Sequence, residues 1–499
     1  MAGIYTQIVS KLLFPFHERL KKHDTVKIRN SLDKSQWLST AEILKQQDER
    51  LALFIKRAVK HVPYYQQLFK KLKLTPNDVN NRLALQKLPF LDKNTIRENF
   101  AHFKADNAGQ TSSFTTGGSS GSPLTFLLGN ERVSHDVAEK WRATRWWDVD
   151  IGDKEIVAWG SPIELGAQDK VRIMRDKLFR STLIPAFDMN EEKLLSFIEQ
   201  IKAIKPKMLF GYPSVFSLIA KTAETHNIDL TKLGIKVVFV TSERLYPYQR
   251  EIIETIFNAP VANGYGGRDA GFIAHQCPQG KMHISAEDII IEIIDNNENV
   301  LPNGEKGEIV VTHLATSDFP FIRYRTGDIG SIDTSPCECG RGLPVLKDIE
   351  GRSTDFVVAE DGTMMHGLAL IYILRELDGI EEFKIFQEAI LNTKVQVVLS
   401  KRSKSSSSES QSSSSSGLVE DPTHSSANHS QDDLVGNSVL DSSRHSRNGL
   451  IGNLDLKSKI TKGFKARLGE NVIIDIEIVE KIEAENSGKF RYVISKVVS

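Results

Sequence analysis

Along the first hundred residues apolar side chains return every three or four positions, as in the run 41–55 with Ile43, Leu44, Leu51, Phe54 and Ile55. That period predicts a helical segment over 1–110. From Phe114 to about Asp333 short β-rich runs at 155–159, 208–210 and 236–240 alternate with helical runs at 191–204 and 215–225. The alternation predicts an α/β body over 111–350 with mostly parallel strands. Beyond Gly351 the order becomes a strand at 356–358, a helix at 368–377, strands at 383–387 and 394–399, a helix at 454–468 and a strand at 472–479. This reads as a small α+β domain over 351–499. The stretch 401–449, rich in Ser, Asn, His and Asp, has too little apolar surface to offset the entropy of ordering it, so a disordered insert is expected there.

Composition narrows the function classes. The 499 residues carry 64 Lys plus Arg and 64 Asp plus Glu, so no global charge steers the chain to nucleic acid. No run approaches the ~20 apolar residues of a membrane span, and the start, Ile4 to Phe16, is interrupted by Gln7, Lys11 and Pro15. A cytoplasmic protein is expected. The amphipathic start serves either as a helix docked on the body or as a peripheral membrane contact.

The run from Phe114 to Phe126 places Thr115, Thr116, Gly117, Gly118, Ser119, Ser120 and Gly121 between two strand-like segments. Glycine lets the backbone approach a ligand and turn its amides inward, and the hydroxyls add donors, which suits a polyphosphate. A Walker loop is excluded because Ser122 and Pro123 follow Gly121 and no lysine is present. A serine-hydrolase elbow through Ser119 needs a helix after it, whereas residues 123–128 read as a strand. Downstream, Asn263-Gly-Tyr265-Gly266-Gly-Arg-Asp269 joins an aromatic ring, exposed backbone and a carboxylate in one turn, and Asp328 closes a second turn after Tyr324. An ionised aspartate accepts from two vicinal hydroxyls, as on a ribose. Cys277, Cys337 and Cys339 are all the cysteines of the chain, and with His283 they fall in two short loops. Three sulfurs and one nitrogen complete a closed tetrahedral Zn²⁺ shell of structural type. His275 is the second choice for the nitrogen, and three buried free thiols are the alternative to a metal.

Taken in order, the loop 115–123, Tyr265-Gly266-x-x-Asp269, Tyr324-Arg-Thr-Gly-Asp328, Gly351-Arg352-x-x-Asp355 and Gly488-Lys489 resemble the adenylate-forming enzymes, in the phenylacetate-CoA ligase and CapK-like branch. Val62-Pro-Tyr-Tyr65 and the run Leu88 to Lys93 look like further landmarks of that branch. The resemblance implies a large α/β domain with a small mobile lid, and attack of a carboxylic acid on the α-phosphate of ATP to give an acyl-adenylate. It assigns the 115–121 loop to phosphates, Asp269 to Mg²⁺, Tyr265 and its neighbours Asn263 and Gly266 to the adenine side, Asp328 to ribose, Arg352 nearby and Lys489 to the reacting carboxylate. Trp159, Gly160, Gly211 and Tyr212 would line the acyl pocket, and coenzyme A would be the acceptor. Two departures stand out: Asp269 where the family usually has Glu, and Leu124 where many relatives carry Lys. An amine or glycan acceptor, or a nucleotide-binding scaffold without turnover, are the competing expectations.

Overall fold

In the computed structural model, the residues described are 3–116, 124–159, 170–186, 189, 191–350, 356–362, 364–375, 377, 379–399, 442–482 and 493–497. The first hundred residues are helical, and the longest helix there, Thr40–His61, opens on a reciprocal cap between Ser39 and Glu42. Its stripe Ile43, Leu51, Phe54, Ile55 and Ala58 is buried. None of the described helices is long and apolar enough to cross a membrane.

The strands are β1 (Thr111–Thr115), β2 (Thr125–Gly129), β3 (Glu155–Trp159), β4 (Ser181–Pro185), β5 (Met208–Gly211), β6 (Val237–Thr241), β7 (Val261–Gly267), β8 (Gly271–Gln276), β9 (Met282–Ile284) and β10 (Ile289–Ile294). They continue as β11 (Gly307–His313), β12 (Tyr324–Asp333), β13 (Val345–Glu350), β14 (Phe356–Val358), β15 (Met364–His366), β16 (Ile380–Ala389), β17 (Asn392–Leu399), β18 (Ile473–Ile478) and β19 (Val493–Ser495).

Among the described residues eleven strands form one sheet in the order β10-β11-β12-β13-β9-β8-β7-β6-β5-β3-β4. The parallel strands expected from the βα alternation are β4, β3, β5, β6 and β7. From β8 onward neighbours are antiparallel. The reason is connection length: a parallel return needs a crossover of about a dozen residues, and only three residues separate β7 from β8. Helices Glu191–Ile204, Pro213–Thr225 and Pro247–Phe257 contribute Phe197, Phe216 and Phe257 to one core with the parallel strands, while Thr40–His61 and its neighbours bury Phe54, Tyr65 and Phe69 in another with the antiparallel ones.

The C-terminal strands form a separate sheet, β18-β17-β16-β19, with helices Leu368–Arg375 and Ser442–Leu468 supplying Leu370, Ile371, Ile460 and Phe464 to its core. Ser442–Leu468 begins inside the segment expected to be disordered, so residues 442–449 are helical instead. Once Leu454–Leu468 nucleates, each added residue gains one hydrogen bond for one residue fixed, and polar residues extend the helix without an apolar stripe of their own. The rest of the serine-rich insert, 401–441, lies outside the described residues.

Candidate functional site

Two tyrosine–aspartate pairs cross between the motif on β7 and the motif on β12. The Tyr265 hydroxyl donates to Asp328 Oδ2 at 3.0 Å, and the Tyr324 hydroxyl donates to Asp269 Oδ2 at 2.6 Å. Each motif thus holds the carboxylate of the other. Local structure explains how. Asp269 lies in the three-residue turn between β7 and β8, closed by Gly271 at φ +95°. Gly266 must stay bare, because a Cβ there would come 2.1 Å from the Gly271 carbonyl oxygen. Asp328 rides a bulge in β12: Val310 faces Arg325 while Glu308 faces Ile329, so the β12 side carries extra residues and Gly327 takes φ +75°. Thr326 Oγ1 accepts from the Asp328 amide at 3.1 Å and donates to the Ile309 carbonyl at 2.8 Å, fixing that bulge.

The two N-terminal landmarks clamp the same strand. Tyr65 Oη donates to the Pro320 carbonyl at 3.1 Å and accepts from the Ile322 amide at 3.3 Å. Leu91 exchanges backbone bonds with Arg323 and Arg325, both at 2.9 Å. Buried Arg323 makes a bidentate pair with Glu292, 2.9 Å on each arm. Tyr324 is therefore gripped on both sides of its Cα.

Thr115 pairs with Thr125 at the end of the β1–β2 hairpin, and Thr116 continues it: its amide donates to the Leu124 carbonyl and its Oγ1 accepts from the Leu124 amide, each at 2.9 Å. Leu124 is fully buried, an apolar anchor at the foot of the hairpin. Phe126 packs on Phe321 at 5.8 Å, and Phe321 stacks on Tyr324 at 5.1 Å. One run of aromatic contacts thus leads from the hairpin to Asp269.

At the C-terminal ends of the parallel strands β3 and β5, Trp159 stacks on Tyr212 at 4.7 Å with 18° between the rings. Gly211 lies against β3 so closely that a Cβ would be 2.1 Å from the Ala158 carbonyl oxygen. Tyr265 lies just past the last parallel pair of β7 with β6, at the same edge, where open α/β sheets bind ligands. Asn263, also on β7, donates its amide to Gln276 Oε1 at 3.0 Å. Gly117, Gly118, Ser119, Ser120, Gly121, Gly160, Arg352 and Lys489 lie outside the described residues.

Cys277, His283, Cys337 and Cys339 converge so that their ligand atoms all lie within 4.8 Å of one another. Cys277 Sγ is 3.6 Å from Cys337 Sγ, and His283 Nε2 is 3.1 Å from Cys339 Sγ. Zn–S bonds of about 2.3 Å in a tetrahedron separate sulfurs by about 3.8 Å, so the set fits a zinc ion. His283 Nδ1 bonds the Leu343 carbonyl at 3.0 Å, which leaves Nε2 facing the sulfurs. Burial lowers the His283 pKa to about 4 and pushes the Cys337 thiol up to about 12, whereas at Cys339 burial is outweighed by hydrogen bonds from Arg341, which lower the thiol pKa. His275 is not in it: fully buried, it packs between Phe239 and Phe272 at 6.0 and 5.5 Å. A cavity of about 830 Å³ under helix Thr40–His61 borders Cys337 but contains neither Tyr265 nor Asp269 nor Asp328, so it is separate from the paired carboxylates.

Sequence reasoning missed a buried ionic layer behind Asp269. Helix Asn130–Arg145 buries Arg132, His135, Glu139 and Arg142. Arg132 pairs with Asp136 at 2.9 Å and reaches the Arg268 carbonyl at 3.3 Å, directly under the Asp269 turn. Arg142 joins Glu139 at 2.5 Å and Glu287 at 2.6 Å, while His135 bonds Asp288. Burial with the nearby Glu287 and Asp288 charges outweighs Arg142 and raises Glu139 to about 8. The available signal was the helical spacing of these polar residues, which reads equally well as a solvated face.

Residues 449–496 match the family described as the CapK C-terminal domain. Protein CapK of Staphylococcus aureus is 24% identical over 362 residues, which is 72% of this chain and 79% of that protein. The phenylacetate-coenzyme A ligase of Aromatoleum evansii is 25% identical over 327 residues, 64% of this chain and 72% of the ligase. This chain is a homologue of CapK and the phenylacetate-CoA ligases. A solved structure of 2-hydroxyisobutyryl-CoA ligase in complex with 2-HIB-AMP and CoA superposes with a TM-score of 0.59 at 18% identity, covering 93% of this chain and 92% of that one. The same ligase in its postadenylation state gives 0.56 over 93% and 91%. The fold is that of the adenylate-forming ligases.

Proposed function

We propose that the protein activates a carboxylic acid with ATP, releasing pyrophosphate, and passes the acyl group from the adenylate to the thiol of coenzyme A. The observation that carries this reading is the crossing of the two tyrosine–aspartate pairs, which joins two separate motifs into one acidic, aromatic-walled site at the ligand-binding edge of the sheet. The relatives that span over 70% of their own length here include phenylacetate-CoA ligases, which supports an acid-thiol ligase.

In this reading the ring of Tyr265 stacks on adenine while its hydroxyl orients Asp328 toward the ribose. Asp269 keeps lone pairs beyond the Tyr324 bond and would hold Mg²⁺, which supplies countercharge to the phosphates. Residues 115–121 supply amides and hydroxyls to the β- and γ-phosphates. Lys489 stabilises the charge between the attacking carboxylate and the α-phosphorus. Trp159 and Tyr212, stacked and half-buried, form a flat wall suited to an aryl or other apolar acid. Cys277, His283, Cys337 and Cys339 hold a structural Zn²⁺ with no open coordination position.

The deciding measurement is pyrophosphate release against aryl, fatty and amino acids, with and without coenzyme A. Lys489→Ala should slow adenylation by about 10² to 10³. Exchange of pyrophosphate into ATP at the parent rate would refute the role of Lys489, and no pyrophosphate with any acid would leave a nucleotide-binding scaffold. A second reading passes the acyl group to an amine or glycan hydroxyl instead of to coenzyme A. Adenylation without thioester formation would select it.

A further inference from the structure

The helix at residues 4–20 is docked on the body by one face only. Thr6, Val9, Ser10, Phe14 and Glu18 are buried, with Phe14 edge-on to Trp141 at 3.9 Å and Thr6 Oγ1 bonded to Asp153 at 2.7 Å. The opposite face carries Ile4, Ile8, Leu12, Phe16 and Leu20, which are 81, 43, 64, 60 and 68% exposed. These five large apolar side chains recur every fourth residue. In a plain α-helix four residues overshoot one turn, so such a row would drift around the axis. Here the middle turn, Val9–Leu13, is a π-turn, whose wider turn holds more residues and reverses the drift. Pro15 follows it and has no N–H to donate back to Lys11, which favours opening the ladder there.

Charge is sorted on the same helix. Lys11, Arg19, Lys21 and Lys22 are exposed. Glu18, the one acid in residues 3–23, is turned inward, where it accepts from Thr25 at 2.5 Å and lies 3.0 and 3.2 Å from His17 and His23. The neighbouring helix Lys170–Phe179 lies alongside, with Tyr5 Oη bonded to the Leu178 carbonyl at 2.9 Å and Phe179 edge-on to His17. It adds exposed Ile173, Met174 and Leu178, together with exposed Lys177. A body-docking helix alone does not require a row of solvent-facing Ile, Leu and Phe flanked by bases.

We infer that helix 4–20 and its neighbour Lys170–Phe179 form an interfacial docking surface for an anionic lipid bilayer, with the apolar row entering the headgroup region and the bases meeting acidic lipid. An amphipathic helix lying in the interface binds through buried apolar area plus attraction to anionic lipid, and this surface offers both: Glu18 is turned inward, and the partly exposed Asp176 of the neighbouring helix is paired with Arg175 at 2.6 Å. The inference is independent of the acid or acceptor used at the site.

The test is co-sedimentation of the full chain with vesicles of pure phosphatidylcholine and of phosphatidylcholine with one-third phosphatidylglycerol, at low and high salt. Binding to the anionic vesicles, weakened by salt, is expected. Leu12→Glu with Phe16→Glu should lower partitioning at least about 100-fold while thermal unfolding and pyrophosphate release stay unchanged, since both side chains face solvent. Replacing Lys11, Arg19, Lys21 and Lys22 by Gln should cost about three orders of magnitude on anionic vesicles and little on neutral ones. A parent protein that stays in the supernatant overturns the inference. So does equal binding by the Leu12→Glu, Phe16→Glu variant, or a dimer of the parent that this variant dissociates without any vesicle binding, which would make the face a self-association surface.

Discussion

The hydroxyl of Tyr324 lies 2.6 Å from Asp269 Oδ2, across a separation of 55 residues. A hydrogen bond to a charged group contributes about 1.5–3 kcal/mol, and here it fixes the direction of the Asp269 carboxylate. Tyr324→Phe should lower pyrophosphate release about 10- to 100-fold, with part of the loss recovered at high Mg²⁺. Activity equal to the parent at limiting Mg²⁺ would count against a metal-holding Asp269.

Gly266→Ala is the sharpest steric test. Its Cβ would sit 2.1 Å from backbone, whereas at neighbouring Gly267 a Cβ meets only the Asp269 carboxylate, at 2.8 Å. Gly266→Ala should displace the β7–β8 turn, remove most adenylation and lower the Tm by several degrees. Gly267→Ala should act on activity more than on Tm, and unfolding midpoints with kcat for both variants check the order.

For the cysteine cluster, metal analysis of purified protein should find about one zinc per chain, released by strong chelators. Cys337→Ser combined with Cys339→Ser should abolish retention and lower the Tm, because ligand binding to the folded state is folding free energy. Full retention of zinc by that variant would show that the ion sits elsewhere.

The acid side of stability should be set by buried histidines. Burial, with Arg142 nearby, holds His275 near pKa 3, and burial with Arg132 holds His313 near 4. An unfolded histidine titrates near 6.5, so the unfolded chain binds more protons below that pH. The stability these groups contribute is fully present above pH 6.5 and falls as pH drops toward 4, on the order of 1.4 kcal/mol per pH unit for each. Glu139, raised to about 8, has the opposite slope between about 4.5 and 8. Urea midpoints of parent and His275→Asn between pH 7.5 and 5 should differ in slope by the share of His275, and parallel curves would contradict its neutral burial.

Much of this arrangement was legible in the chain. The segments flanking the Thr/Gly/Ser run are strands β1 and β2, as their pattern suggests, and Cys277, His283, Cys337 and Cys339 meet as their residue types suggest. The pairing of Tyr265 with Asp328 was not legible, because β12 and β7 are separated in the sheet by β13, β9 and β8, and Asp328 stands beside a bulge in β12, neither of which the residue pattern announces. The ionic layer on helix Asn130–Arg145 was hidden for another reason. Arg132, Glu139 and Arg142 have the spacing of a solvated face, and only the partners Glu287 and Asp288, some 150 residues away, turn that face inward.

The antiparallel half of the sheet has a mechanical consequence. β8 starts beside Asp269 and runs out to Cys277, while β12 carries Asp328 and leads to Cys337, and Cys277 and Cys337 meet at 3.6 Å. The far ends of two strands that are not neighbours in the sheet thereby come together at the cysteine cluster. A zinc ion held there would resist sliding of one past the other, the soft shear of a broad sheet, at a distance from the carboxylates Asp269 and Asp328.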